Sequence, residues 1–132
     1  MPTWVEIFVL FVVSHLVGDY LLQTDWQAVN KRGGLTAGGA SRRALLAHVA
    51  TYTLAFVPVL AWIADDIGAA VLGLAAIIAV PHLIQDDGRL LTRYIERVKG
   101  ADDAPPRIFL TVDQTFHTVA LLLTALLAVE LT

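Results

Sequence analysis

Seven side chains in this sequence have the types and spacing to bind a metal ion or to move a proton. His15 and Asp19 stand four apart, as do His82 and Asp86, and Asp113 and His117. Residues at that spacing share one face of an α-helix, so each pair would present an imidazole and a carboxylate together. The fourth histidine, His48, has Tyr52 at the same spacing. Imidazole with carboxylate suits a divalent ion, Zn first, with Mn or Fe as alternatives. An ion with an open position lowers the pKa of its water towards ~7. Whichever of Asp19, Asp86 and Asp113 is not a ligand would then serve as general base. The chain has no cysteine, so thiolate ligands and a catalytic thiol are excluded. The ligand set suffices for two ions, or for one whose ligands are oriented by Asp–His pairs. Gln23, Gln85, Gln114 and Tyr52 are placed to hydrogen-bond those ligands. The plain alternative is that the His–Asp pairs satisfy one another inside a bundle and fix its register.

These residues sit at the ends of four apolar runs, read as helices over 4–22, 44–63, 67–84 and 108–129. Each approaches the roughly 17–25 residues that a bilayer-crossing helix needs. Of 132 residues, 57% are hydrophobic and 16% charged, and mean hydropathy is +0.68. No run shows the polar face of a solvent-exposed helix, which ranks a soluble bundle below a membrane bundle. The first run lacks a basic leader and a small-x-small cleavage site, so it reads as a retained span. The expected fold is one domain over 1–132, all-α, with four transmembrane helices in two parallel-related hairpins. A net charge of −3 with no basic stripe gives no footprint for nucleic acid.

Every Lys and Arg falls between runs one and two or between runs three and four. The positive-inside rule makes those loops cytoplasmic and puts both termini outside, with Trp4 and Trp62 at the outer interface and Trp26 at the inner. Within 89–99, Leu90, Leu91, Tyr94, Ile95 and Val98 share one face, the pattern of a short amphipathic helix in the inner interface. The glycine-rich stretch 33–40 reads as a mobile linker; its alternative is a lid, or an anion-binding nest beside Arg42 and Arg43. Pro58 and Pro81 are expected to kink the second and third spans. Asp25 and Asp87 read as interfacial loop acids.

This topology brings the polar residues to one depth. Spans one and three end, and spans two and four begin, at the basic-loop side, so all four histidines lie within roughly two turns of that interface. Ionisable groups at membrane depth are costly, which makes such a cluster a functional site by default. The outer halves of the spans are almost purely apolar, which counts against a complete ion path through one chain. Gly and Ala in spans three and four would permit close packing against a second copy, so a homo-oligomer is a further expectation.

A family resemblance is carried by His15 through Asp19, Gln23, Asp25 and Trp26, then Asn30-Lys31, His48 with Tyr52, His82 with Asp86, and Asp113-Gln114 with His117. This pattern resembles a bacterial family of small membrane proteins, domain of unknown function 3307, over nearly the whole chain. The resemblance implies the four-span fold, a place in the bacterial inner (cytoplasmic) membrane and the importance of these polar residues, but no particular reaction. More loosely, the His/Asp pattern is similar to inner-membrane metal-dependent hydrolases.

The expected activity is metal-dependent hydrolysis at a site open to the cytoplasmic leaflet. The lipid bilayer is then the first partner, and a lipid-linked or phosphorylated substrate would fit. Arg42, Arg43 and Arg89 would receive an anionic head group. Two other readings stand beside it: a cation or proton transporter component using the same residues as a relay, and a non-catalytic membrane module with a structural cluster. No nucleophilic serine motif, dinucleotide loop or phosphate-binding loop is present.

Overall fold

A computed structural model describes residues 1–131, which form helices and connecting turns with no strand among them. Thr3 opens α1 (Trp4–Leu16). Its hydroxyl accepts from the Glu6 amide, and the Glu6 carboxylate accepts from the Thr3 amide, which satisfies donors that a helix start leaves unpaired. The helix then widens into a π-helical turn, Val17–Leu22, that carries Asp19. Thr24 repeats the cap, with Gln27 as partner, on α2 (Asp25–Asn30). After α3 (Gly34–Ala37), α4 (Gly39–Ala55) ends just before α5 (Val57–Ile67). Pro58 has no N–H for the Leu54 carbonyl, so the second apolar run becomes two helices bent by 57°.

A turn at Gly68 precedes α6 (Ala70–Asp86), which continues past Pro81. Gly88, at φ +78°, takes a left-handed conformation open mainly to glycine, and α7 (Arg89–Lys99) leaves at 63° to α6. Pro106 opens α8 (Pro106–Glu130), at a position where its missing N–H costs nothing. Trp4–Leu22 and Pro106–Glu130 are each long and apolar enough to cross a membrane; the number reaches four only if each bent pair is one span.

The helix α8 packs against α1 and α6, and α6 packs against α4. Between them lies a core of Ile7, Phe11, Phe56, Ile63, Leu74 and Ala125, with the Phe11 and Phe56 rings 5.7 Å apart. The amphipathic expectation for 89–99 holds: α7 buries Leu91 and Ile95 against Val112 of α8. Elsewhere much of the surface is apolar, while one part of the interior is polar. Val9, Val13, Leu72, Val80 and Leu123 are exposed, while all four histidines are buried. A water-soluble domain reverses that arrangement, and so much exposed apolar surface marks contact with lipid or protein.

The glycine-rich stretch is anchored, contrary to its reading as a mobile linker. The Leu35 amide donates to Asp87 Oδ1 at 2.8 Å, and the Gly33 amide to the Asp87 carbonyl at 2.9 Å. The other carboxylate oxygen takes Arg89 Nε. Asp87 is only 3% exposed, a buried clamp rather than a loop acid. Asp87→Ala is expected to speed hydrogen exchange over 33–37 by roughly tenfold while α6 stays protected, the loss of one buried acceptor being worth about 1–2 kcal/mol. Unchanged exchange there would show that the clamp contributes nothing.

Candidate metal centre

Four side chains from three segments meet at one point. Asp19 comes from the π-helical turn, His48 from α4, and His82 and Asp86 from α6; all four are buried, and one ligand atom from each lies within 4.8 Å of the others. His48 Nε2 is 2.7 Å from Asp86 Oδ2 and 3.3 Å from Asp19 Oδ1. His82 Nε2 is 3.3 Å and 3.6 Å from the same two oxygens, and the two imidazole nitrogens are 3.1 Å apart. Nitrogen and oxygen ligands about 2.0–2.1 Å from a tetrahedral ion stand about 3.3 Å from one another. The spacing of these donors therefore matches that of a ligand set.

A second group, Asp86, Asp113 and His117, adjoins the first. His117 Nδ1 donates to the Asp113 carbonyl at 2.8 Å, so the proton of a neutral ring sits on Nδ1 and Nε2 carries a lone pair. That is how metal-binding imidazoles are commonly oriented. Nε2 points at Asp86 Oδ1, 3.3 Å away. Two acceptors thus face each other. His117 Nε2 and Asp19 Oδ1 are both buried without a hydrogen-bond partner. Unsatisfied buried polar atoms cost about 1–3 kcal/mol each, and a cation would satisfy both. Asp86 turns Oδ2 to the first group and Oδ1 to the second, so one carboxylate stands between donors enough for two ions.

His15 belongs to neither group. Its Nδ1 meets the Tyr52 hydroxyl at 3.1 Å and its Nε2 meets Gln114 Oε1 at 2.9 Å, so both ring nitrogens are engaged. Asp19 Oδ2 stands 3.5 Å from that Nδ1. Tyr52 also lies flat on the His82 ring, with centroids 3.4 Å apart and 4° between planes. Gln114 Nε2 reaches Asp19 Oδ2 at 3.4 Å and Asp113 Oδ2 at 3.3 Å. Gln23 donates to the Asp19 carbonyl; Gln85 donates to the Phe116 carbonyl, and its Oε1 is buried without a partner. The π-helical turn approaches α4 so closely that a Cβ on Gly18 would lie 2.7 Å from Tyr52 Cδ2 and 3.2 Å from Tyr52 Cα.

Lys31 is the site residue that side-chain spacing did not disclose. Its ammonium donates to Asp86 Oδ2 at 2.6 Å and to Gln23 Oε1 at 2.5 Å. The one signal for it in the sequence is the Asn30-Lys31 step within the family resemblance. Lys31 and Arg32 line a cavity of about 420 Å³ that reaches Asp19, Asp86 and Asp113. The Arg32 guanidinium lies 3.7 Å from the centre of the Phe109 ring. Arg42 and Arg43 are exposed on the first turn of α4, and Arg89 is engaged by Asp87.

Fold and site together define an all-α protein with two to four helices able to cross a membrane, enclosing a His/Asp cluster that could hold a metal ion. The chain belongs to a family of proteins of unknown function, DUF3307, which matches residues 7–132. No curated protein and no solved structure matches it.

Proposed function

We propose that this protein is a four-span bilayer enzyme of the bacterial inner membrane that binds divalent metal at the His/Asp centre and hydrolyses a phosphorylated or lipid-linked substrate. The observation that carries the reading is a cluster with ligand spacing in which His117 Nε2 and Asp19 Oδ1, like His48 Nδ1 and His82 Nδ1, are buried without a hydrogen-bond partner. Asp19, His48, His82 and Asp86 form the first site; Asp86, Asp113 and His117 form the second. Zinc suits these donors best, with manganese or iron next. Bound there, the ion would supply an acidified water and a counter-charge for a phosphoryl oxygen.

The chain's own groups divide the remaining work. His15, Tyr52 and Gln114 hold Asp19 and the His82 ring in place. Lys31 and Arg32, at the cavity wall, receive the substrate's negative charge. If the first site alone is filled, Asp113 is the carboxylate left to take a proton from water. If both are filled, Asp113 is a ligand. Basic loops on the cytoplasmic side would open the cavity to that leaflet. A cation or proton relay has less support, because beyond the cluster the core is apolar, running through Phe11, Phe56, Leu74 and Ala125.

Elemental analysis of the detergent-purified protein tests this directly. One or two equivalents of metal are expected in the wild type, and none in His48→Ala/His82→Ala. A wild-type protein that stays metal-free after loading with zinc, manganese or iron would refute the metalloenzyme reading. The ratio measured also decides between the two roles of Asp113.

A further inference from the structure

A second cavity, about 540 Å³, lies between α7 and α8. Its wall on α7 is Leu91 together with one helical stripe: Leu90, Arg93, Tyr94, Arg97 and Val98. These positions are i, i+3, i+4, i+7 and i+8, which share a face. From α8, Phe116 closes the groove, its ring set edge-on to Tyr94 at 5.1 Å. The floor is made by Gln85 and Asp113. Those two residues also line the cavity that holds Lys31 and Arg32, so the groove and the centre adjoin.

Two properties identify the occupant. The walls are mainly apolar, and Leu90 and Val98 are exposed, which suits a hydrocarbon chain. Both arginines on the stripe are exposed along the rim, where a guanidinium takes phosphate in a forked contact. An amphipathic helix beside apolar spans lies where lipid head groups are. We infer that the groove between α7 and α8 binds one anionic phospholipid, its acyl chain along Leu90, Tyr94 and Val98 and its phosphate on Arg93 and Arg97. A lipid held there lies against Asp113, which makes a phospholipid the substrate class of the proposed reaction; this last step rests on that reading, whereas the binding site does not.

Native mass spectrometry of the full chain in detergent, given phosphatidylglycerol or phosphatidylcholine of matched chains, is the test. Saturable binding of one phosphatidylglycerol per chain is expected, tighter than phosphatidylcholine. R93Q/R97Q should weaken it roughly ten- to thirtyfold, at about fivefold per cationic contact. V98W, which fills the groove from its exposed edge, should weaken it as well. K99Q/R107Q, at a separate cavity, removes as much charge and should change little; an equal loss in that variant would mean diffuse surface attraction and overturn the site. Competition by glycerol phosphate as strong as by whole lipid would also overturn it, because the groove would then be unused. Metal content measured on the same samples separates the two proposals. Lipid without metal leaves the groove and removes the centre; metal without lipid does the reverse.

Discussion

Asp86→Ala is expected to abolish metal binding and to lower stability by about 3–5 kcal/mol, the usual cost of stripping one member from a buried charge cluster. Asp86 is the one ligand common to both groups, giving Oδ2 to His48 and His82 and Oδ1 to His117. It also receives the Lys31 ammonium, whose side chain is 15% exposed. Without the carboxylate, that ammonium and three imidazoles are left with Asp19 beside His48 and His82 and Asp113 beside His117 as the remaining anions. Asp86→Asn keeps the volume and one acceptor oxygen. It is expected to lose the metal with a smaller loss of stability. Metal analysis and thermal unfolding in the same detergent read both effects. Full metal occupancy in either variant would remove Asp86 from the centre. Asp113→Asn supplies the contrast, because it touches the second group alone and should cost at most one equivalent.

Gly18→Ala is expected to lower metal affinity roughly ten- to a hundredfold, the size of effect seen when the support of a ligand is disturbed. The added methyl would meet Tyr52 at its ring and at its Cα. The ring could rotate only by leaving His82, on which it is stacked, and the Cα cannot move without α4. The π-helical turn must therefore back away from α4 and carry Asp19 with it. Overpacking of this kind costs about 1–3 kcal/mol. Gly73→Ala is the control, since nothing lies within 4 Å of a Cβ built there. It should be neutral or slightly stabilising. Chelator competition with the two variants side by side gives the answer, and equal affinities would mean that the close approach has no bearing on the site.

Much of the centre was legible because its residues keep helical spacing. His82 with Asp86 and Asp113 with His117 behave as pairs four apart on a helix should. His15 with Asp19 does so too, at 3.5 Å, but only Asp19 enters a ligand group, for a local reason. The spacing rule assumes 3.6 residues per turn, whereas the chain from Val17 is π-helical. The wider turn directs Asp19 Oδ1 across to His48 and leaves His15 to Tyr52 and Gln114. Nothing in the side-chain pattern announces that widening. Lys31 was hidden differently: a lysine in a basic loop reads as a topological charge, and only the path of α2 returns its ammonium to Asp86. The apolar runs located the helices, Pro58 marked the break in the second run and the amphipathic pattern marked α7 as separate; the size of the two bends, 57° and 63°, is carried by the backbone alone.

The order of the donors along the chain also sets an order of events during synthesis. Asp19, His48, His82 and Asp86 all precede residue 87, whereas Asp113 and His117 lie on α8, which is made later. Translation proceeds from the N-terminus, and membrane helices insert before they associate. The first group can therefore close while α8 is still in the ribosome. The second group, and the hold that Gln114 exerts on Asp19, must wait for that helix to arrive. A nascent chain halted before α8 would carry a half-built cluster with Asp86 Oδ1 lacking His117, and ion capture at that stage would bias how α8 docks.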